Sequence, residues 1–219
     1  MAKDPTTEVV VLPLLPGLDL GSGDAKALWE SILKTISEQP GYQKMFWGRQ
    51  VEHPDIAQLC INWDSIEAHK AFMASPAYGP FGETISKLLS APPSLYHVPF
   101  PASSPFVAPA RAPAAELASL YFPASYPQAD FMPRWAEFGR VCGQHATGFL
   151  GCAGGWSIEE VESAGVEGGK AKVFLAVIAW ESVEAHMAFR ATEAFKGAIT
   201  QLRGGTTSIE MHHVRFQEY

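Results

Sequence analysis

"WDSIEAHKAF", residues 63–72, returns as "WESVEAHMAF" at residues 180–189, an offset of 117. The correspondence continues through "FMASPAY" against "FRATEAF". Upstream, "GYQKMFWG" (41–48) lies under "GFLGCAGG" (148–155), and downstream "LYHVPF" (95–100) lies under "MHHVRF" (211–216). The flanking offsets differ, so the loops between the matched segments differ in length while the segments themselves repeat. A period of this size means two copies of one structural unit, and it governs every later assignment.

Each copy reads strand, helix, strand, strand, helix, strand. In the first, "TEVVVLPLL" (7–15) is β-rich, and "DAKALWESILKTISEQ" (24–39) places Ala27, Leu28, Ile32, Leu33 and Ile36 at helical spacing before Pro40-Gly41. "YQKMFWGRQV" (42–51) and "IAQLCINW" (56–63) read as strands across the turn-rich "EHPD". A second helix starts near Ser65, whose hydroxyl suits a helix cap, and "SLYHVPF" (94–100) closes the unit. The second copy follows with "AELASLYFP" (115–123), a helix within 127–145, a strand over 148–162, a strand over 172–180, one helix over 183–202 and a strand over 207–216. The Gly-rich insertion "SAGVEGG" (163–169) is expected to be a mobile loop. "PASSPFVAPARAP" (101–113) reads as a semi-rigid linker whose prolines sustain neither helix nor central strand.

The order β-α-β-β-α-β is the ferredoxin-like unit, with both helices on one face of an antiparallel sheet. The expected fold is α+β, with two such repeats at 1–100 and 114–219 joined by the linker at 101–113. An uncovered apolar sheet face is an association site. The two repeats are therefore expected to pack sheet to sheet, an internal pseudo-dimer in a monomer, with further homodimerisation left open.

Composition narrows the function. Apolar residues make up 47% and charged residues 18%, as in ordinary globular chains. A net charge of −7 argues against nucleic acid and anionic membranes, leaving a small apolar metabolite as the expected partner. The N-terminal apolar run is broken by Pro13 and Pro16 and lacks a basic leader, which points to a cytoplasmic protein without a membrane span. Cys60, Cys142 and Cys152 form no C-x-x-C pair and read as reduced, buried thiols. Phosphate-loop, dinucleotide, serine-elbow and zincin motifs are missing, so no cofactor and no metal is expected.

The segments "FWGRQV", "CINWDSIEAHKAFMASPAYGPF" and "SLYHVPF" resemble the dimeric α/β barrel superfamily, in its antibiotic-biosynthesis-monooxygenase and stress-responsive branches. The resemblance implies several chemistries on one scaffold. The Tyr–His pair of the stress-responsive polyketide cyclases falls on Phe72 and Tyr78 in one copy and on Phe189 and Phe195 in the other, so that pair is absent. The Trp and His of the haem-degrading branch fall on Phe189 and Ile199. Cofactor-free quinone-forming monooxygenases need no metal or flavin motif and stay compatible.

His69 shares a helix face with Ile66 and Phe72, as His186 does with Val183 and Phe189, so both imidazoles point at the sheet. They read first as core histidines bonded to a backbone carbonyl, and alternatively as general bases. His97 and His213 occupy equivalent strand positions whose face parity alone does not settle. Tyr78 offers a phenol, and Asn62, Tyr78 and Arg49, replaced by Ala179, Phe195 and Trp156 in the second copy, mark the first copy's polar identity. Catalytic candidates are thus Tyr78, His97, His69, His213 and His186. Trp63, Asn62, Trp47, Arg49, Phe72, Trp180 and Phe189 are candidate substrate contacts. The leading reading is a cofactor-independent enzyme using acid–base chemistry for cyclisation, isomerisation or elimination. A cofactor-free monooxygenase and a non-catalytic, stress-responsive binding barrel are the alternatives.

Overall fold

The computed structural model describes residues 5–163, 165–166 and 168–219; the expected mobile loop includes Ala164 and Glu167, which lie outside the described residues. The chain forms two units, residues 1–99 with 217–219 and residues 100–216. The first contains β1 (Thr6–Pro13), α1 (Gly23–Ser37), β2 (Tyr42–Arg49), β3 (Ile56–Trp63), α2 (Ile66–Met73), α3 (Tyr78–Ser86) and β4 (Ser94–Val98). The second contains α4 (Val107–Ala110), β5 (Ala114–Pro123), α5 (Gln128–His145), β6 (Phe149–Trp156), β7 (Val161–Glu162), β8 (Lys170–Trp180), α6 (Val183–Arg190), α7 (Glu193–Arg203) and β9 (Ser208–Val214). A last strand, β10 (Gln217–Glu218), pairs with β2 and so belongs to the first unit.

The strand orders are β10-β2-β3-β1-β4 and β6-β8-β5-β9, with β7 also on β8 and every pairing antiparallel. Each unit is ferredoxin-like, with β1 or β5 at the centre between the strand that precedes the second helical segment and the last strand of the repeat. Alternate residues of the central strands face the helices: Val10 and Leu12 with Leu59 and Ile61 in one unit, Ala118 and Leu120 with Ala176 and Ile178 in the other. Helix α1 answers with Trp29, Ile32, Leu33 and Ile36, a spacing that puts all four on one stripe. The stripe begins at Trp29, and Ala27 is exposed, because two residues back along the helix turn it to the opposite face.

The repeated sentence forms one corner twice. The Asp64 N–H donates to the Gly41 carbonyl at 2.7 Å, and the Glu181 N–H donates to the Gly148 carbonyl at 2.8 Å. Both glycines have positive φ, +87° and +81°, and a Cβ on either would lie 2.5 Å from the Ala68 Cβ or 2.8 Å from the Ala185 Cβ. The helix thus seats its alanine directly on a glycine backbone, which fixes the position of the histidine that follows. A bulge next to Tyr42 and another next to Phe149 re-aim the neighbouring strand at the same place in both units.

Several expectations change. The second helix of each repeat is two helices: Pro76 interrupts the first copy, and in the second Thr192 caps a new start by accepting from the Phe195 N–H at 3.2 Å. Ser182 caps α6 by accepting from the Ala185 N–H at 3.1 Å, whereas Ser65 sits at the cap position without a side-chain cap bond. The strand expected over 148–162 is β6 and β7, separated at 157–160. The linker carries the one-turn helix α4, in which Pro109 is tolerated because the first turn's N–H groups have no helical acceptor. Phe106, Pro109 and Ala110 are buried there, so the segment 100–113 is part of the second unit. Burial pushes the thiol of Cys142 up to about 12 and that of Cys152 up to about 11, and raises Cys60 as well, which disfavours thiolate chemistry. No helix among the described residues is long and apolar enough to cross a membrane.

Gly41→Ala and Gly148→Ala each meet a forbidding backbone angle and a close Cβ, and we expect each to lose about 1–3 kcal/mol in urea denaturation. Gly79→Ala, in α3 with open space around it, is the control and should be neutral or mildly stabilising.

Candidate functional site

Each unit buries one carboxylate in the middle of its sheet. Glu8 on β1 and Glu116 on β5 face the helices from positions cross-strand to His97 and His213 respectively. In the first unit the Trp63 indole N–H donates to Glu8 Oε2 at 2.8 Å, His69 Nε2 lies 3.5 Å from Glu8 Oε1, and His69 Nδ1 is 2.8 Å from His97 Nε2. In the second, the Trp180 indole N–H donates to Glu116 Oε2 at 2.9 Å, His186 Nε2 is 3.3 Å from the same oxygen, and His186 Nδ1 is 2.7 Å from His213 Nε2. None of the six acid and histidine residues is more than 6% exposed. Each first histidine also lies flat on its tryptophan, at ring separations of 5.3 and 4.8 Å.

The chemistry of the groups orders the protons. An ionised carboxylate only accepts, so the nitrogen facing it, Nε2 of His69 or His186, carries the hydrogen. In a neutral ring Nδ1 then accepts from the second histidine, and adding a proton reverses that last bond. Trp, Glu, His and His therefore form a chain along which the charge of an added proton would be shared across the two imidazoles and balanced by the carboxylate. Two histidines and a carboxylate, with ligand atoms within 4.8 Å of one another, also make a set that transition metals favour. The first histidine is the shared member of each set, with one nitrogen toward the acid and the other toward its partner.

The two clusters differ in their surroundings. A cavity of about 510 Å³ opens on Glu116 and His186 between β5, β8, β9 and the helices of the second unit, a volume suited to a drug-sized ligand. Its origin is a pair of truncations. The cross-strand partners Val10 and Leu59 of the first unit are Ala118 and Ala176 in the second, and both alanines line the cavity. Phe81, which packs on Phe72 and Tyr78 at 5.3 and 5.7 Å, is matched by Ala198. The side chains at these positions are larger around Glu8 than beside Glu116.

The sequence-derived candidates divide accordingly. His69 with His97, and His186 with His213, come together in the clusters, where each first histidine lies between an acid and its partner histidine. Trp63 and Trp180 hold the acids, and Phe72 and Phe189 lie beside those indoles at 6.3 and 5.9 Å. Tyr78 packs edge-on to Phe72 at 5.2 Å, and burial, followed by the charge of Glu8, raises its phenol above the ordinary value. Asn62 points to the opposite sheet face, where Thr7 Oγ1 donates to its Oδ1 at 2.9 Å. Arg49 donates to the carbonyls of Pro54 and Leu18 and ties loops together. Trp47 packs edge-on to Trp29 at 5.0 Å within the core. Asn62, Arg49 and Trp47 are therefore removed from the cluster. Glu8 and Glu116 were missed, although a single charge inside "TTEVVVL" and "AAELASL", on the core-facing parity of both copies, is a legible signal.

Residues 24–83 match the antibiotic biosynthesis monooxygenase family. Among solved structures, an anthrone oxidase-like protein superposes with a TM-score of 0.70 at 14% identity, covering 99% of this chain and 93% of that one. Candidate monooxygenases from Fusobacterium nucleatum (TM-score 0.61, 12% identity, 99% and 94% covered) and Lactobacillus acidophilus (0.58, 12%, 97% and 94%) share the fold over nearly the whole chain. No curated protein matches the chain in sequence.

Trp180→Phe keeps the ring but removes the donor to a buried carboxylate, while Trp156→Phe removes an indole N–H that has no hydrogen-bond partner. We expect Trp180→Phe to lose about 1–3 kcal/mol more than Trp156→Phe in urea denaturation.

Proposed function

We propose, for a chain whose first repeat carries an antibiotic-biosynthesis-monooxygenase-type domain and whose second repeats that fold, that the second repeat is the working one. It binds a small apolar, aromatic or polyketide-like molecule and removes a proton from it without an organic cofactor. The observation that carries this reading is the cavity with Glu116 and His186 set into walls of Ala118, Leu120, Ala176, Ile178 and Phe195. A carboxylate and an imidazole in apolar surroundings, each oriented by a partner behind it, act together as a general base. The proton passes to the Glu116–His186 pair, and His213 shares the resulting charge through its 2.7 Å bond.

Proton removal from an activated CH2 flanked by aromatic rings leaves a carbanion that can reduce O2. One electron moves to oxygen, the radicals combine to a C–OO− that takes the first proton back from the base to become C–OOH, and the base then removes the remaining C–H proton as the O–O bond breaks, leaving a ketone. That second proton goes to the departing hydroxide, so CH2 and O2 become C=O and H2O. The same deprotonation also opens cyclisation, isomerisation or elimination; oxygenation is the outcome favoured by the likeness in fold to an anthrone oxidase-like protein. The first repeat, with Val10, Leu59 and Phe81 in the corresponding space, uses its Glu8–His69–His97 chain to hold its own core.

Anthrone is the probe, with O2 uptake and anthraquinone formation as readouts. The protein should exceed the uncatalysed rate, and Glu116→Gln or His186→Gln should lower kcat/KM by about 100-fold or more. His69→Gln, compared at equal folded fraction by circular dichroism, should stay within about threefold. A rate equal to buffer alone, or equal losses from the two histidines, refutes the assignment.

A further inference from the structure

The cavity beside Glu116 and His186 is not uniformly apolar. Arg190 on α6 and Arg203 on α7 both line it, and both are exposed, while Glu116 and His186 are buried. The arginines therefore mark the open end and the acid–histidine pair the closed one. Thr206 and Ser208 add hydroxyls to the lining from the segment that follows α7.

The Arg190 side chain and the backbone at Arg203 each have a partner that fixes their place. Arg190 lies four residues after His186, one helical turn along the same face, so about 6 Å of helix separates them. Its guanidinium carbon sits 5.9 Å from the centre of the Phe195 ring, itself a cavity wall. Arg203 is in the last turn of α7, whose end is fastened where Arg134 Nη1 on α5 donates to the Gly204 carbonyl at 2.8 Å and Thr206 Oγ1 donates to the Arg203 carbonyl at 3.0 Å. At the corresponding positions of the first repeat stand Met73 and Ser86, so the two cations accompany the cavity and not the fold.

The chain as a whole carries a net charge of −7, which disfavours anions in general. Two guanidinium groups at the rim of an apolar cavity reverse that locally, and low-dielectric walls strengthen their pull on a carboxylate.

Resting on the cavity assignment above, we propose that Arg190 and Arg203 form an anion clamp and that the substrate is an aromatic carboxylate. Its charged group is held at the mouth, and its apolar body extends inward to present an acidic C–H to Glu116 and His186.

The test uses two fluorescent probes of equal size, anthracene-2-carboxylate and the neutral anthracene-2-methanol, titrated against the full chain. The carboxylate should bind about tenfold tighter, and raising NaCl from about 20 to about 500 mM should erode that preference. Arg190→Gln/Arg203→Gln should bring the preference below about threefold while leaving the neutral probe within about twofold. Ala118→Val/Ala176→Leu, which installs the first repeat's own residues, should abolish binding of both probes. Equal binding of the two probes, or a preference that survives the double arginine substitution, overturns the clamp. If that happens while the filled variant still loses both probes, the cavity stands as the binding site and only the clamp falls. If the filled variant binds like the parent, or neither probe binds the parent, the clamp and the cavity assignment fall together.

Discussion

A carboxylate placed in the centre of a sheet and turned toward the helices cannot be left alone. Desolvating an unpaired charge costs far more than any single contact returns, and removing one partner of a buried pair typically costs about 3–5 kcal/mol. Glu8 and Glu116 therefore dictate what surrounds them: an indole N–H from the end of the adjacent strand, an imidazole from the next helix, and a second imidazole from the strand on the other side. Together with the acid's own strand, those groups span four elements of each unit, so satisfying one acid fixes their mutual placement. The glycine–alanine contact at the corner serves the same end, because it brings the helix close enough for its histidine to reach the sheet.

With that scaffold shared, the two repeats diverge through volume. Around Glu8 the cross-strand pair is valine and leucine; around Glu116 it is alanine and alanine. Close-packed interiors do not absorb such losses without rearrangement, and here the space persists as a cavity that an acid and an imidazole face. The proposed proton acceptor is the hydrogen-bonded chain that such a space leaves open to a molecule. The arginines at the mouth of the same cavity stand at positions that are uncharged in the first repeat.

Much of this was legible from residues alone. The duplication, the β-α-β-β-α-β order and the inward aim of His69 and His186 all follow from spacing, because helix and strand periods convert sequence distance into a face. The break in each second helix was not legible as a gap in pattern, since Pro76 and Thr192 sit inside runs that keep helical spacing on both sides. Asn62 and Arg49 misled because a difference between copies shows only that constraint is relaxed there, and each of the two turned out to bond locally to Thr7 or to loop carbonyls.

What the sequence determined by itself was the pair of ferredoxin-like units and the histidines on their inner faces, because those depend on local periodicity repeated at a fixed offset. What only the tertiary structure decided was that Glu, Trp, His and His meet, and that just beside Glu116 there is room for a ligand. Residues 8, 63, 69 and 97 are brought together by strand register and helix seating, and a cavity is the difference between the volumes of side chains that are remote in sequence. Neither quantity is carried by any one segment of the chain.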